Sequence, residues 1–360
     1  MALGLGLYLG LTRPSGARVF QPASGLISLP PWLSQTSPSN RTCQNSLSTL
    51  LRNVGANQAC ANVWGWQCEP QSQNLIHYSE AFGSWTAFSS TTINAYTTDP
   101  AGNSTGIDLS ASNPGAQGLY LLFSGSASTV AARSSWIKSA AAPNIATIDS
   151  QSPLNQYVEN PVTGSAWHRV VAQYSGTSQT PVQADVGLST TINTRAQYAF
   201  EQLENQPCVT SYIPTAGTQV TRAATTQNFA PNTSSFGFRM DQAMSCPSNV
   251  GLASVLLCSP TGTYVLGLNA SNQLYLTSGN TQTRATAYTW NAGDILSIRM
   301  RFNGTTTSTF QVYKNNVFIE SFSLTNSSAP AWGTSGNYLF ASNAGANYLL
   351  NQGIPHLELY

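Results

Sequence analysis

The sequence predicts an all-β protein: two tandem antiparallel β-sandwiches behind an extended N-terminal segment. Three observations carry this prediction. Charged residues make up only 8% of the 360, far below the usual quarter. Aromatic residues stand at 10%, which supplies interior for a chain otherwise rich in Ser, Thr, Asn, Gln and Gly. Short runs of alternating apolar and polar residues recur between Pro, Gly and Asn turn signals, the pattern of sandwich strands.

Charge also excludes some partners. The formal net charge is +1, and lysine occurs only at Lys138 and Lys314. No basic stripe is present, so nucleic acid is not expected as a ligand. No membrane span is expected either. The apolar run from Ala2 to Leu11 is about ten residues long, too short to cross a bilayer, and it lacks the basic flank of a secretory signal.

Residues 1–33 show no regular period, and Pro14, Pro22, Pro30 and Pro31 exclude a long helix there. The strip Leu3, Leu5, Leu7, Tyr8, Leu9 and Leu11 must be covered by something. Either it docks on another protein, or it pairs back on the first sandwich. Residues 34–72 read as a small turn-rich β module with one brief helix-like patch at residues 46–51. Trp64-Gly65-Trp66 puts two indoles on one strand face, as a stacking platform or as packing.

Residues 73–224 form the first sandwich. Its strands are predicted at residues 74–78, 118–123, 130–138, 144–149, 168–174, 182–187 and 195–204. Residues 225–360 form the second, with strands at 236–240, 253–257, 264–268, 273–277, 286–290, 295–302, 309–314, 317–324, 337–341 and 356–360. The clearest is 295–302, where Leu296, Ile298, Met300 and Phe302 alternate with Ser297, Arg299 and Arg301. Asn315-Asn316 marks a hairpin tip, because Asn tolerates the positive φ of a tight turn. In the stretch 195–204, Ala196, Tyr198, Phe200 and Gln202 fall on one face and Arg195, Gln197, Ala199 and Glu201 on the other. Of the six cysteines, a bond between Cys246 and Cys258 or among Cys43, Cys60 and Cys68 is one expectation. Buried thiols are the other.

The titratable residues form no nucleophile or metallopeptidase motif. Carboxylate pairs such as Asp99 with Asp108, or Glu201 with Glu204, could serve a glycosidase only across a cleft. Asp99 reads more simply as a turn residue. Glu201 and Glu204 lie three apart, on opposite strand faces. Glycan binding needs exposed aromatic faces with polar forks beside them. The candidates are Trp85, Tyr275, Tyr288, Trp290 and Trp332, with Trp332 the best exposed, while Trp136 and Trp167 read as inward-facing.

A set of ordered pieces resembles a family. These are Asn74-Leu75-Ile76 with Tyr78-Ser79-Glu80 and Trp85, Ser135-Trp136-Ile137-Lys138, Trp167-His168-Arg169-Val170, Gln202-Leu203-Glu204, Thr210-Ser211-Tyr212-Ile213-Pro214-Thr215 and Val220-Thr221-Arg222. Together they resemble the jelly roll, similar to carbohydrate-binding modules, of tailed-bacteriophage fibre and spike proteins. The series Trp290 to Asp294, the arginine strand and Phe310 to Phe318 resembles a laminin-G or concanavalin-like sandwich. The resemblance implies a non-enzymatic virion protein attached to other virion proteins through residues 1–33, oligomeric, with a trimer favoured. It implies binding of host-surface polysaccharide at the virion surface. It also implies a structural calcium ion, with Glu80, Glu201 and Glu204 the positions to supply oxygens. A polysaccharide depolymerase or lyase, a structural connector and a secreted adhesin are the alternatives.

Overall fold

The computed structural model describes residues 18–22, 25–37, 41–43, 51–62, 65–69, 71–88, 91–111, 118–123, 130–138, 155–158, 166–175, 182–187, 195–206, 208–231, 236–244, 248, 254–332, 337–339 and 352–360. Among them the chain is almost entirely antiparallel strand, with one 3-10 turn at Phe82–Ser84. No helix among the described residues is long and apolar enough to cross a membrane.

The first pair of sheets comes from the middle of the chain. A six-stranded sheet runs in the order Thr91–Thr97, Gly106–Ala111, Arg195–Glu204, Val130–Lys138, His168–Ser175, Asn155–Val158. A three-stranded sheet, Val182–Gly187, Gly118–Phe123, Thr86–Ala87, completes the pair. Ile107, Leu109, Ile137, Val170, Ala172, Tyr198 and Leu203 from the larger sheet pack with Leu119, Leu121, Ala184 and Val186 from the smaller. Strands at Gly118–Phe123, Val130–Lys138, Val182–Gly187 and Arg195–Glu204 fall where alternation predicts. The polar strands Thr91–Thr97 and Gly106–Ala111 were not predicted. The expected strand at 144–149 lies outside the described residues.

The face assignment of Arg195–Glu204 changes midway. Phe200 has φ 57°, uncommon for a bulky residue, and the register against Val130–Lys138 shifts there. This bulge inserts one residue and inverts the later alternation. Tyr198 and Leu203 therefore share the inner core. Phe200 turns outward to pack with Trp136, Trp167, Ala199 and Tyr212.

The second pair of sheets is larger and joins both ends of the described chain. One sheet has nine strands. Its order is Gly25–Ile27, Ala59–Asn62, Gly65–Cys68, Gln352–Leu359, Phe236–Met244, Ile295–Phe302, Thr307–Lys314, Val317–Thr325, with Arg18–Phe20 also on Gln352–Leu359. The other has seven: Asn280–Ala287, Gln273–Ser278, Val265–Leu268, Ser254–Cys258, Asn337–Leu339, Thr226–Phe229, Leu33–Thr36. Phe20, Trp32, Leu33 and Trp66 belong to the same core as Phe238, Ile298, Leu266 and Leu357. Asn315 and Asn316 take φ 50° and 66° at the predicted hairpin tip.

This topology differs from the division read in the sequence. Residues 18–36 neither form a free-standing peptide nor pair back on the first sandwich. Arg18–Phe20, Gly25–Ile27 and Leu33–Thr36 are strands of the last sandwich, and Ala59–Asn62 and Gly65–Cys68 join them. Gly65, at φ 108°, makes this possible, because a Cβ there would lie 2.2 Å from the backbone of Ile354. The segment of about 150 residues between is thus inserted into the other sandwich, a common arrangement when a domain's ends lie close together. Leu3, Leu5, Leu7, Tyr8, Leu9 and Leu11 lie outside the described residues. Cys43 is bonded to Cys60, as one of the two cysteine readings expected. Cys258 is instead a buried thiol that donates to the Ser259 carbonyl. Cys208 is also disulfide-bonded.

Trp32 is 8% exposed in the shared core. Trp32→Ala should cost about 3–5 kcal/mol, read by chemical denaturation, and removal of residues 1–36 should leave the last sandwich unfolded by circular dichroism. A truncated protein with unchanged melting would contradict the strand insertion.

Candidate functional site

The aromatic candidates are mostly interior. Trp332, in the loop expected to expose it, is 3% exposed, with Phe302 5.1 Å and Phe236 6.3 Å away between ring centroids. Trp290 and Tyr288 sit in the same core, and the Tyr288 hydroxyl donates to Glu320 at 2.7 Å. Trp85 is buried against Phe82, and its indole N–H donates to the Tyr78 carbonyl. Their ring faces are spent on packing, so these four offer no sugar platform here. A loop full of Pro and Ala reads as surface, but Trp332 is large enough to fold back into the core it flanks. Trp136 and Trp167 are buried too, as their inward readings expected, and Trp66 is buried, which is the packing alternative for its strand face. Tyr275 is the exception. It is half-buried, and its ring lies over Gly267 of the neighbouring strand, where a Cβ would come within 2.8 Å.

The carboxylates named for calcium are held by protein donors. Glu201 is fully buried and takes Arg133 Nη2 at 2.8 Å and the Ser135 hydroxyl. Burial pushes its carboxyl up, while Arg133 and Ser135 pull it down. Glu204 accepts from Thr210 N at 2.7 Å, Thr210 Oγ1 at 2.6 Å, Gln202 Nε2 at 2.7 Å, Gln206 Nε2 at 2.9 Å and Ser72 Oγ. Glu80 accepts from the Tyr212 hydroxyl at 2.9 Å. Donors of this kind occupy the lone pairs a calcium ion would need. Among the described residues no cluster of His, Cys, Asp and Glu is arranged to hold a metal ion. Glu201 and Glu204 do face opposite sides of their strand. Asp99 accepts from Ala101 N and Asn103 N, the expected turn role, and Asp108 is paired with Arg195. That hydrogen bond holds the Asp108 carboxyl below its ordinary value.

Glu204 instead joins Glu69 in a polar joint where the chain enters and leaves the inserted segment. Ser72–Asn74 leads into the inserted segment and Val220–Arg222 leads out, and the two pair as a ribbon. Glu69, fully buried, takes Ser211 N at 2.5 Å, Ser211 Oγ at 2.9 Å and Arg222 at 3.3 Å. Asn74 donates to the carbonyls of Glu201 and Ile213. Ile213 N donates to Gln202 Oε1, and Thr215 N to Ser79 Oγ. Tyr212 stacks on Phe200 at 4.5 Å. The pieces quoted above for the family resemblance are therefore largely the members of this network.

The open chemistry lies elsewhere, on the outer face of the nine-stranded sheet. Tyr360 is 39% exposed. Its backbone exchanges hydrogen bonds with Gly237, and its ring lies where a Cβ on Gly237 would be 2.0 Å away. Gly237 is paired across the sheet with Arg301, which is exposed. Arg299, two residues back on the same face, stacks its guanidinium 4.6 Å from the Tyr313 ring centroid. The Tyr313 hydroxyl donates to Gln311 Oε1 at 3.2 Å, and Phe318, 53% exposed, meets the Tyr313 ring edge-on. Tyr360, Arg301, Arg299, Tyr313 and Phe318 thus form a diagonal strip on the order of 20 Å long, four strand spacings across and about four residues along.

One end of this face is covered. Asp241, His356 and Glu358 are on it yet buried. Asp241 takes Arg239 Nε at 3.0 Å and Nη2 at 2.7 Å, and His356 Nε2 is 3.4 Å from Glu358. Burial lowers the His356 pKa, and Arg239 adds to this. The sequence marked Arg299 and Arg301 as the wet side of a strand, but not as part of a strip. Tyr360 and Phe318 meet them only through pairing of strands far apart in the chain.

No protein-family model matches the chain, and no curated protein matches it.

Arg133 and Glu201 are both fully buried. Glu201→Gln should therefore cost about 3–5 kcal/mol, because it leaves the guanidinium uncompensated, whereas the double change Arg133→Met/Glu201→Leu should recover most of that loss. Urea melts of the two variants check this; equal losses in both would argue against a charge-driven effect.

Proposed function

We propose that this chain is a non-enzymatic, surface-displayed component of a tailed phage or phage-like particle, a fibre or spike, that binds host-surface glycan. The observation that carries the reading is the open strip of Tyr360, Arg301, Arg299, Tyr313 and Phe318. Aromatic faces beside guanidinium and amide forks are what sugar rings and hydroxyls require. Tyr275, on the outer face of the other sheet, is a second aromatic surface of the same kind. The virion assignment is supported by the resemblance of residues 72–224, whose quoted residues act together as the buried joint.

A binding rather than cleaving role is supported by the state of the acids. Glu69, Glu201, Glu204, Asp99 and Asp108 are buried and tied to protein donors. Asp241 and Glu358, nearest the strip, are buried with Arg239 and His356 beside them. In this reading residues before Arg18 attach the protein to other virion proteins, and the protein works as a homo-oligomer, with a trimer favoured.

Purified protein should bind surface polysaccharide from its host without shortening it, and Tyr360→Ala should weaken binding about tenfold, since one stacked aromatic is worth about 1 kcal/mol or more. Binding by glycan microarray and chain length by size-exclusion chromatography read the two outcomes together. Shortened chains would establish the depolymerase alternative, and no binding across a broad panel would favour a structural connector.

A further inference from the structure

The strip carries positive charge that the protein does not neutralise, and this narrows its ligand. The chain has 14 Lys and Arg against 13 Asp and Glu, and six of its described cations are paired with a carboxylate. Arg133 pairs with Glu201, Arg195 with Asp108, Arg222 with Glu69, Arg239 with Asp241, Arg284 with Glu320 and Lys314 with Asp294. Arg18 and Arg169 are instead held by backbone carbonyls, whereas Arg299 and Arg301 lie together on the open outer face. They sit two apart on one strand, on one face, and among the described residues neither is within ion-pair distance of a carboxylate. Arg299 is held by Tyr313 instead, through stacking and a 3.4 Å hydrogen bond from Nη1 to the hydroxyl. Its Nε is buried with no acceptor. Two like charges this close on a sheet repel each other, and nothing in the fold uses Arg301 for packing, since it is exposed.

We infer that the strip recognises an acidic glycan, with Arg301 and Arg299 taking the carboxylate of a uronic-acid-type residue while Tyr360 and Phe318 stack on neighbouring rings. The inference rests on the glycan-binding reading and names its ligand class. A planar guanidinium matches a carboxylate with two parallel hydrogen bonds. Tyr313 holds Arg299 in place before binding, which lowers the ordering cost. Gln311, whose Oε1 already accepts from Tyr313, leaves its amide N–H groups for ring hydroxyls. The Arg239–Asp241 pair, His356 and Glu358 line the Gln352–Leu359 side of the face and are buried, so the acidic group belongs on the open side, at Arg301 and Arg299.

The test uses the full chain on polygalacturonate, alginate and hyaluronate, each beside its carboxyl-reduced neutral form, with binding measured by biolayer interferometry at two salt concentrations. The inference expects binding to at least one acidic polymer, at least tenfold weaker binding to its neutral form, and a similar loss in Arg301→Gln. Because Arg301 is exposed, that variant keeps the fold, as an unchanged melting temperature would verify. Binding should also weaken as salt rises. Equal binding to acidic and neutral forms, or full binding by Arg301→Gln and Arg299→Gln, would overturn the acidic assignment and leave the glycan reading standing. Failure to bind any polymer, acidic or neutral, would bring down both.

Discussion

The buried polar joint at Glu69, Asn74, Glu204 and Arg222 is the constraint on which the rest depends. An isolated carboxylate in a dry interior is costly unless donors surround it. Glu69 and Glu204 are fully buried and meet that demand with backbone N–H groups, hydroxyls, amides and one arginine. Such a network tolerates little displacement, because each donor lost leaves a charged acceptor unsatisfied. It therefore fixes the crossing strands Ser72–Asn74 and Val220–Arg222 in one register. It also fixes the 208–215 segment across the outer face of the six-stranded sheet, where Val209 packs on Ala132 and Val171.

The joint gives meaning to the nested topology. A domain inserted into another needs its two ends side by side, and here they pair as a ribbon. The same segment then reaches into the larger core, where Cys208 is buried among its neighbours, and Thr42 donates to the Tyr212 carbonyl from the N-terminal side. The N-terminal strands are as necessary to the larger sandwich as its C-terminal strand, since Arg18–Phe20 and Gly65–Cys68 both pair on Gln352–Leu359. The strip bearing Tyr360 depends on the same strand, because Leu359 and Tyr360 are placed by Phe236–Met244 and by Arg18–Phe20.

How much of this the sequence discloses follows from the range of the interactions. Ile295–Phe302 is legible because Leu296, Ile298, Met300 and Phe302 alternate strictly and all are buried. The Asn315-Asn316 tip is legible because its constraint is local φ. Strands such as Arg18–Phe20 and Gly25–Ile27 are not, since three residues carry no period and their partners are hundreds of positions away or across a turn-rich stretch. Thr91–Thr97 escapes notice because it is an edge strand with both faces polar or exposed. The bulge at Phe200 is invisible in a run that alternates cleanly on paper, and it moves Phe200 out of the core to which pattern alone assigns it. Among the site residues, chemistry was readable and exposure was not. Trp85, Trp290 and Trp332 have the right rings, but burial is a tertiary property. The arginine face was visible, and its aromatic flanks were not.

The joint should make the two sheet pairs one cooperative unit. Differential scanning calorimetry of the full chain should then show a single transition whose calorimetric and van't Hoff enthalpies agree. Two resolved transitions in the unmodified protein would mean that the inserted segment and the surrounding sandwich unfold independently, and would contradict that coupling.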